Sequence, residues 1–221
     1  MSVKPILFNT DMVRAILDNR KTVTRRVVKG YALYHLELDT DGSIIGVYNQ
    51  DEGHVFPVMD YAPYRPGDIL YVRETFFEHK GRFYYKADGK HETLDKLGIT
   101  FKWHPSIHMP REAARIFLRV TDVRVERLRE SFFQCGPTII HLQKEGVDIG
   151  EQCRECIEAY GSPCCIDSES ECGMLDEVRS SFSDLWDSTI RPGIRALYGW
   201  GGNPWVWVTG FERCQKPEAV P

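Results

Sequence analysis

A long stretch of alternating apolar and charged residues constrains the fold of this chain most strongly. Between Ala113 and Leu128, apolar side chains recur at every second position, with arginine and aspartate among the residues between them. The apolar positions are Ile116, Leu118 and Val120, followed by Val123 and Val125. A period of two is typical of a β-strand with one buried face. We therefore expect a long half-buried strand, with a bulge at Thr121-Asp122, where the alternation changes phase.

Shorter patterns on both sides of this strand predict an α+β fold. Apolar residues at helical spacing predict a helix over about 10–19, a short one from Pro137 that Gly146 ends, and a third through Val178, Phe182, Leu185 and Trp186. Runs of β-branched or apolar residues predict strands at Thr22–Val28, Ile69–Phe77, Arg82–Lys86 and Pro204–Phe211. Residues 30–60 contain several turn formers and predict a hairpin or a long loop. Without a regular βαβ alternation, this order indicates a small mixed β-barrel that carries insertions.

Composition excludes several classes of protein. The 221 residues are 42% hydrophobic, which is enough to bury a core and excludes wholesale disorder. No apolar run approaches the roughly 20 residues that span a bilayer, so we expect no membrane association. Charge appears at the N-terminus before a signal-peptide core could form, which predicts a cytoplasmic protein with reduced or metal-bound cysteines.

The net charge of −4 conceals a segregation of charge along the chain. Residues 1–30 carry seven Lys or Arg against two acids, whereas residues 145–187 carry two Arg against twelve acids. The basic blocks could attract phosphates and the acidic block would repel them. Ordinary solvated faces are the alternative interpretation.

The sharpest local motif runs from Asn19 to Arg26, where the first predicted helix gives way to a strand. A threonine hydroxyl becomes a nucleophile beside a group that takes its proton, and a lysine crowded by arginines can do so. Lys21 and Thr24 fit these two roles if Lys21 lies in the turn. The alternative is a basic strand edge in which threonine is present only because it favours the β conformation.

This arrangement resembles the ASCH domain, a family of PUA-like β-barrels. Its members share a helix, a Gly/Asn-Arg-Lys-Thr-x-Thr-x-Arg motif, a Pro-Gly-Asp turn and a terminal apolar strand. In this chain the motif is Asn19–Arg26, the turn is Pro66-Gly67-Asp68 and the terminal strand is Val206–Phe211. Further motifs are similar to the phage and prophage branch: residues 4–9, 72–75, 105–111 and 203–208. The resemblance implies an ASCH domain over 1–146 and 176–213, interrupted by a Cys-rich acidic insertion at 147–175.

The resemblance also implies a hydrolytic site. Related small amidohydrolases remove the acetyl group of N4-acetylcytidine with a Lys, a Thr three residues later and a Glu near the end of a later helix. These fall on Lys21, Thr24 and Glu145. Lys21 would accept the proton of Thr24, which attacks the amide carbonyl, and Glu145 would protonate the leaving amine. This chemistry requires no cofactor.

Five further residues are candidates for substrate binding. They are Arg20, Arg26, Arg73, Glu74 and Trp103. Glu74 could instead form a structural ion pair with Arg73 or Arg26, which is the interpretation we favour because buried carboxylates are usually paired. Trp103 could stack on a base. Trp205 and Trp207 could also stack on a base, but they share one strand face, which favours a place in the core or the barrel wall.

Five cysteines in the acidic insertion predict a structural zinc site. Cys153 and Cys156 form a Cys-x-x-Cys pair, and Cys164, Cys165 and Cys172 follow within the same short segment. Four thiolates bind zinc tetrahedrally, and an insertion with few core residues needs a staple. The ligands would be Cys153, Cys156, Cys164 and either Cys165 or Cys172. A flexible insertion with incidental cysteines is the alternative. His104 and His108 offer weaker metal ligands.

Two functions are therefore expected of this chain. The first is a hydrolase that acts on an N4-acylated cytosine nucleoside or a related modified base. The second is a noncatalytic phage-derived module that binds RNA or single-stranded nucleic acid through Arg20, Arg25, Arg26 and Arg73. No cluster of histidines or acids supports a nuclease. A modified nucleoside or RNA is thus the expected partner.

Overall fold

The computed structural model describes residues 2–29, 35–40, 42, 44–89, 98, 100–130, 135–147, 149, 155, 158 and 173–217. In 135–139 and 173–177 the description covers the backbone alone. The chain forms two compact units. Unit 1 comprises Met1–Thr22, Pro66–Thr121 and Phe211–Pro221, and unit 2 comprises Val23–Arg65 and Asp122–Gly210.

The described elements are mixed strands and helices. The strands are β1 Val3–Leu7, β2 Val23–Val27, β3 Leu36–Leu38, β4 Ile44–Asn49, β5 His54–Phe56, β6 Ile69–Arg73, β7 Phe76–His79, β8 Arg82–Tyr85, β9 Phe117–Arg127 and β10 Trp205–Cys214. The α-helices are α1 Thr10–Leu17, α2 Cys135–Lys144, α3 Gly173–Thr189 and α4 Arg195–Tyr198. Short 3₁₀ turns occur at Val58–Tyr61, Lys86–Asp88, Ser106–His108, Arg111–Ala113 and Pro192–Ile194. The fold is therefore α+β, as the sequence predicts.

Five strands form the main sheet in the order β1-β6-β9-β10-β2. β1 runs parallel to β6, with Val3 opposite Ile69, and β6 runs antiparallel to β9. β2 runs antiparallel to β10, with Thr24 opposite Thr209. β3, β4 and β5 form a second sheet, and β7 pairs with β8 in a hairpin. Among the described strands no pairing joins β1 to β2, so the predicted closed barrel is not found.

Unit 1 places Lys21 directly after its first helix. Asn9 caps α1 by accepting a hydrogen bond from the backbone N–H of Met12 at 2.9 Å, which satisfies one of the free N–H groups at the helix start. After the helix, the backbone N–H of Lys21 donates to the carbonyl of Ala15 at 3.0 Å. A separate apolar core of this unit includes Ile69, Phe76, Met109, Ala113, Ala114 and Phe117.

Unit 2 places Glu145 at the end of α2. The helix ends at Lys144 and is followed by Gly146, whose φ of 84° lies in the left-handed region that glycine adopts at low cost. The N–H of Val147 then returns to the carbonyl of Leu142 at 3.1 Å. The core beneath includes Leu128, Leu142, Val147, Ile149, Val178, Phe182, Trp186, Val206 and Val208. Burial of Val178, Phe182 and Trp186 confirms the helical stripe expected from sequence.

Other predicted elements are confirmed with changed boundaries. The expected strand Ile69–Phe77 is interrupted after Arg73 and resumes as β7 at Phe76. Within 30–60, where a hairpin or a long loop is expected, the described residues form the three strands β3 to β5, paired as a consecutive antiparallel sheet. The burial pattern of β9 changes phase at Thr121-Asp122, as its sequence does. In the described part of the chain, no helix has the length and apolar character needed to cross a membrane.

Candidate active site

The pleat of β2 separates the residues of the basic motif onto two faces. Successive side chains of a strand point to opposite sides, so Thr24 and Arg26 share one face and Arg25 lies on the other. Val23 and Val27, which share the face of Arg25, pack against the core of unit 2. The sequence thus directs a guanidinium toward an apolar core, where a charge requires partners.

Two carboxylates supply those partners. One guanidinium nitrogen of Arg25, Nη1, hydrogen-bonds Oε1 of Glu145, and Nη2 donates to Oε1 of Glu126 at 2.9 Å. The side chain of Arg25 is 2% exposed and that of Glu145 is 4% exposed. Glu126 also accepts a hydrogen bond from Arg124 at 3.1 Å. Arg25 therefore fixes Glu145 at the end of α2 by a buried, charge-assisted contact.

On the opposite face, Arg26 binds the hydroxyl of Thr24. Nη1 of Arg26 donates to Thr24 Oγ1 at 2.9 Å and to the carbonyl oxygen of Arg25 at 2.9 Å. Thr24 is almost fully buried. A guanidinium bonded to this oxygen would stabilise negative charge that develops there, as nucleophilic attack requires.

Arg26 also interacts electrostatically with Glu145 and Tyr64. Its pKa is lowered by desolvation, while Tyr64 and Glu145 act in the opposite direction. Burial raises the pKa of Tyr64, and the positive charge of Arg26 opposes that shift. Arg26 is nevertheless exposed to solvent.

Thr209 completes this face of the strand pair. It lies directly opposite Thr24, and Trp207 lies opposite Arg26. Both side chains are buried. Side chains that face each other across an antiparallel pair project to the same side, so the side chains of Thr24 and Thr209 are neighbours.

Lys21 belongs to unit 1, whereas Thr24 and Glu145 belong to unit 2. Lys21 is buried, and its Nζ lies 5.8 Å from the ring centroid of Phe8. Its predicted contact with Thr24 stays a prediction. Within unit 2, Thr24 and Glu145 are connected through Arg26, which hydrogen-bonds the first and interacts electrostatically with the second.

Glu74 is buried in an ion pair, but its predicted partners, Arg73 and Arg26, are wrong. Arg115 binds both carboxylate oxygens, at 2.9 and 3.1 Å, and also pairs with Asp88 at 2.7 Å. Burial raises the pKa of Glu74 despite the contacts of Arg115. Desolvation lowers the pKa of Arg115, but the hydrogen bonds to Glu74 and Asp88 outweigh it and raise the pKa overall. The carboxylate is 1% exposed and Arg115 is 28% exposed, so loss of hydration weighs more on Glu74.

The remaining binding candidates lie in unit 1. Arg20 pairs with Asp18 at 3.1 Å, and the guanidinium of Arg73 donates to the carbonyl of Ile107. Trp103 is half-buried and packs edge-on against Phe101, with 5.0 Å between ring centroids. Their roles toward a substrate stay predictions.

The two tryptophans of β10 lie in the protein interior, as the sequence predicts. Trp205 and Trp207 are both buried, which confirms the interpretation that they belong to the core. The Arg127 guanidinium lies 4.3 Å from the ring centroid of Trp205.

The predicted zinc ligands, Cys153, Cys156, Cys164, Cys165 and Cys172, lie outside the described residues. Within the described part of the chain, no group of three His, Cys, Asp or Glu side chains could hold a metal ion, and His104 packs against Phe76. Structural zinc stays a prediction. One equivalent of zinc in purified, untagged protein would support it, and zinc-free folded protein would contradict it.

Sequence reasoning missed four residues of these clusters: Tyr64, Glu126, Arg115 and Thr209. It also assigned Arg25 to nucleic-acid contact, whereas Arg25 is buried with two carboxylates. A usable signal was present for Arg25, because it alternates with Val23 and Val27 on one strand face. The other four become visible only when segments far apart in the sequence come together.

Two solved structures are similar to the chain over most of its length. The crystal structure of hypothetical protein PH0355 is 10% identical, with a TM-score of 0.31, and covers 97% of this chain and 100% of that one. An ASCH domain from Lactobacillus crispatus JV V101 is 12% identical, with a TM-score of 0.35, and covers 96% and 79%. No family model and no curated protein matches. At such low TM-scores the two similarities decide neither family nor activity, so the ASCH resemblance depends on the sequence motifs.

Proposed function

We propose that this protein is a hydrolase that cleaves the amide of an N4-acylated cytosine nucleoside or a related modified base. The arrangement of Thr24, Arg26 and Glu145 in unit 2 carries the proposal. A buried hydroxyl accepts a hydrogen bond from a guanidinium that also interacts with a buried carboxylate. Lys21, three residues before Thr24 in the sequence, is the proposed base.

The fold supports this proposal only at a coarse level. The α+β architecture, the helix before the motif and the strand after it agree with the order of elements in ASCH domains. Membership of that family, its phage branch and its PUA-like barrel belong to the proposal.

The proposed reaction proceeds through an acyl-threonine. Lys21 takes the proton of the Thr24 hydroxyl as Oγ1 bonds to the amide carbon, and Arg26 stabilises the negative charge that develops at Oγ1. Glu145 enters this step in its protonated form, and the C–N bond breaks as it gives that proton to the departing amine. Water then attacks the ester and passes one proton to Glu145, while Lys21 returns its proton to Thr24. The products are the carboxylic acid and the free base or nucleoside.

Arg25 has a distinct place in this scheme. Its guanidinium contacts Glu145 directly, so it would neutralise the carboxylate left when Glu145 has given up its proton. Glu126 holds the other side of the same guanidinium. Arg25 is therefore proposed to position and balance Glu145 without touching the substrate.

The decisive experiment is incubation of the purified protein with N4-acetylcytidine and detection of cytidine by chromatography. We expect Thr24→Ala and Lys21→Ala each to reduce turnover on the order of 10⁴-fold, because neither half of a nucleophile–base pair works alone. The matched controls are Thr22→Ala, on the same segment, and Lys29→Ala, an exposed lysine. Both controls should keep turnover within a few fold.

Two results would contradict the hydrolase. One is a folded wild-type protein that releases no cytidine, and the other is a Thr24→Ala variant that keeps its activity. Salt-dependent binding of RNA that survives Lys21→Ala and is lost in Arg26→Ala would then favour the binding module. Arg25 is unsuited to that second function because its guanidinium is buried.

A further inference from the structure

The hydroxyl of Thr209 is a buried polar group without an assigned role. Thr209 is 1% exposed, and within the described residues no group hydrogen-bonds its Oγ1. Leaving a buried hydroxyl unpaired costs free energy, and valine would fill the same space without that cost. The hydroxyl therefore requires an explanation, and a partner supplied by a bound ligand is one.

The position of Thr209 indicates which ligand. Val28 donates to the carbonyl of Trp205 at 2.9 Å, which marks that pair as a hydrogen-bonded pair of the β2–β10 ladder. Such pairs recur at every second residue, so Thr24 and Thr209 form another, with Cα atoms about 5.5 Å apart. Their side chains project to the same face.

This separation suits a nucleophile and an oxyanion donor. A nucleophile approaches a carbonyl carbon to about 3 Å, the oxygen is bonded to that carbon at about 1.2 Å to the side of the approach, and a donor stands about 3 Å from the oxygen. Two hydroxyls on facing residues can therefore engage the carbon and the oxygen of one carbonyl group. Arg26, which is bonded to Thr24, faces Trp207 and not Thr209 in the register.

We propose that Thr209 is a substrate-binding residue whose hydroxyl donates a hydrogen bond to the acyl carbonyl oxygen of the amide that Thr24 attacks. This inference rests on the proposed hydrolase function. Negative charge grows on that oxygen as the tetrahedral intermediate forms, so the bond is stronger in the transition state than in the bound substrate. Loss of the bond should consequently lower kcat and leave KM nearly unchanged.

The test is steady-state hydrolysis of N4-acetylcytidine by the full chain with Thr209→Val or Thr209→Ser. We expect Thr209→Val to lower kcat about 10²- to 10³-fold, and Thr209→Ser to stay within about tenfold of the wild type, because serine keeps the donor. Inhibition by cytidine, which has no acyl carbonyl, should change less than about twofold in both variants. Thr121→Val, at an exposed threonine of β9, is the control and should match the wild type.

Thermal unfolding separates this role from a packing role. Thr209→Val should unfold at the wild-type temperature or above it, because it removes an unpaired buried hydroxyl. If the valine variant does not fold, an active Thr209→Ser beside an inactive, folded Thr209→Ala supports the proposal.

Three outcomes would overturn it. If Thr209→Val is as active as the wild type while Thr24→Ala is inactive, Thr209 does not bind the carbonyl and the hydrolase proposal stands. If Thr209→Ser loses as much activity as Thr209→Val, the defect lies in packing. If the wild type does not hydrolyse N4-acetylcytidine, the proposed function and this inference fail together.

Discussion

Glu74 in unit 1 and Glu145 in unit 2 are both buried carboxylates bound by arginine, yet their surroundings differ. Arg115 occupies both oxygens of Glu74 and stacks on Tyr85, with 3.9 Å between the guanidinium carbon and the ring centroid. Glu145 shares Arg25 with Glu126 and lies within the electrostatic reach of Arg26. Burial of a carboxylate therefore does not by itself indicate catalysis.

The two carboxylate–arginine pairs differ in the residues that surround them. Arg115, just before β9, pairs with Glu74, in the gap between β6 and β7, and with Asp88 of a 3₁₀ turn. These ion pairs connect three segments of unit 1, which explains a structural role. The pair of Glu145 and Arg25 lies beside a guanidinium that hydrogen-bonds a buried threonine hydroxyl. We interpret the first pair as structural and the second as part of the candidate active site.

The largest expected effect separates the two carboxylates by activity. Glu145→Gln should reduce hydrolysis of N4-acetylcytidine roughly 10²- to 10⁴-fold, because the amide cannot exchange the proton. Glu74→Gln, the matched control, should stay within about threefold of the wild type once folded protein is normalised. Equal losses in the two variants, measured by cytidine release, would abolish the distinction.

A second comparison removes the arginines. Arg25→Met leaves Glu145 and Glu126 without their shared cation in a buried place, so we expect the free energy of unfolding to fall by about 3–5 kcal/mol. Arg124→Met should cost less than about 1 kcal/mol, since the Arg124 side chain is 45% exposed although it also binds Glu126. Urea unfolding measures both. A mild Arg25→Met would mean that the cluster is less tightly coupled than its geometry indicates.

The smallest effect is the pH dependence of stability that Glu74 contributes. Because burial raises its pKa above the ordinary value of 4.5, the folded state holds this proton more strongly than the unfolded state. The contribution is full below the unfolded-state value and is lost as pH rises through the folded-state value. The free energy of unfolding should thus decline more for the wild type than for Glu74→Gln as pH rises from about 4 to 7. Identical slopes in urea titrations would show that Arg115 offsets the burial of Glu74.

Much of the fold is predictable from the sequence because its elements are local. The spacing of Val13 and Ile16, the cap at Asn9 and the stop at Gly146 each depend on a few neighbouring residues. The break between β6 and β7 is less predictable. Residues 69–77 are apolar enough for one strand, but the strand is interrupted at Glu74 and Thr75, and the carboxylate of Glu74 is bound by Arg115.

Part of the candidate site also follows from the sequence. The motif identifies Thr24 as a candidate nucleophile, and the pleat alone places Arg25 on the opposite face of the strand. Thr209 has no such signal, since a threonine in an apolar terminal strand is ordinary until the register sets it across from Thr24.

The sequence by itself determined the class of the fold, the position of its main elements and the faces of β2. The tertiary structure alone decided which charges meet. Arg25 and Glu145 are 120 residues apart, and Arg115 and Glu74 are 41 residues apart. Local propensities act over a few residues, whereas ion-pair partners depend on strand register and on where a helix ends against the sheet. That is why Arg115 and not Arg73 pairs with Glu74.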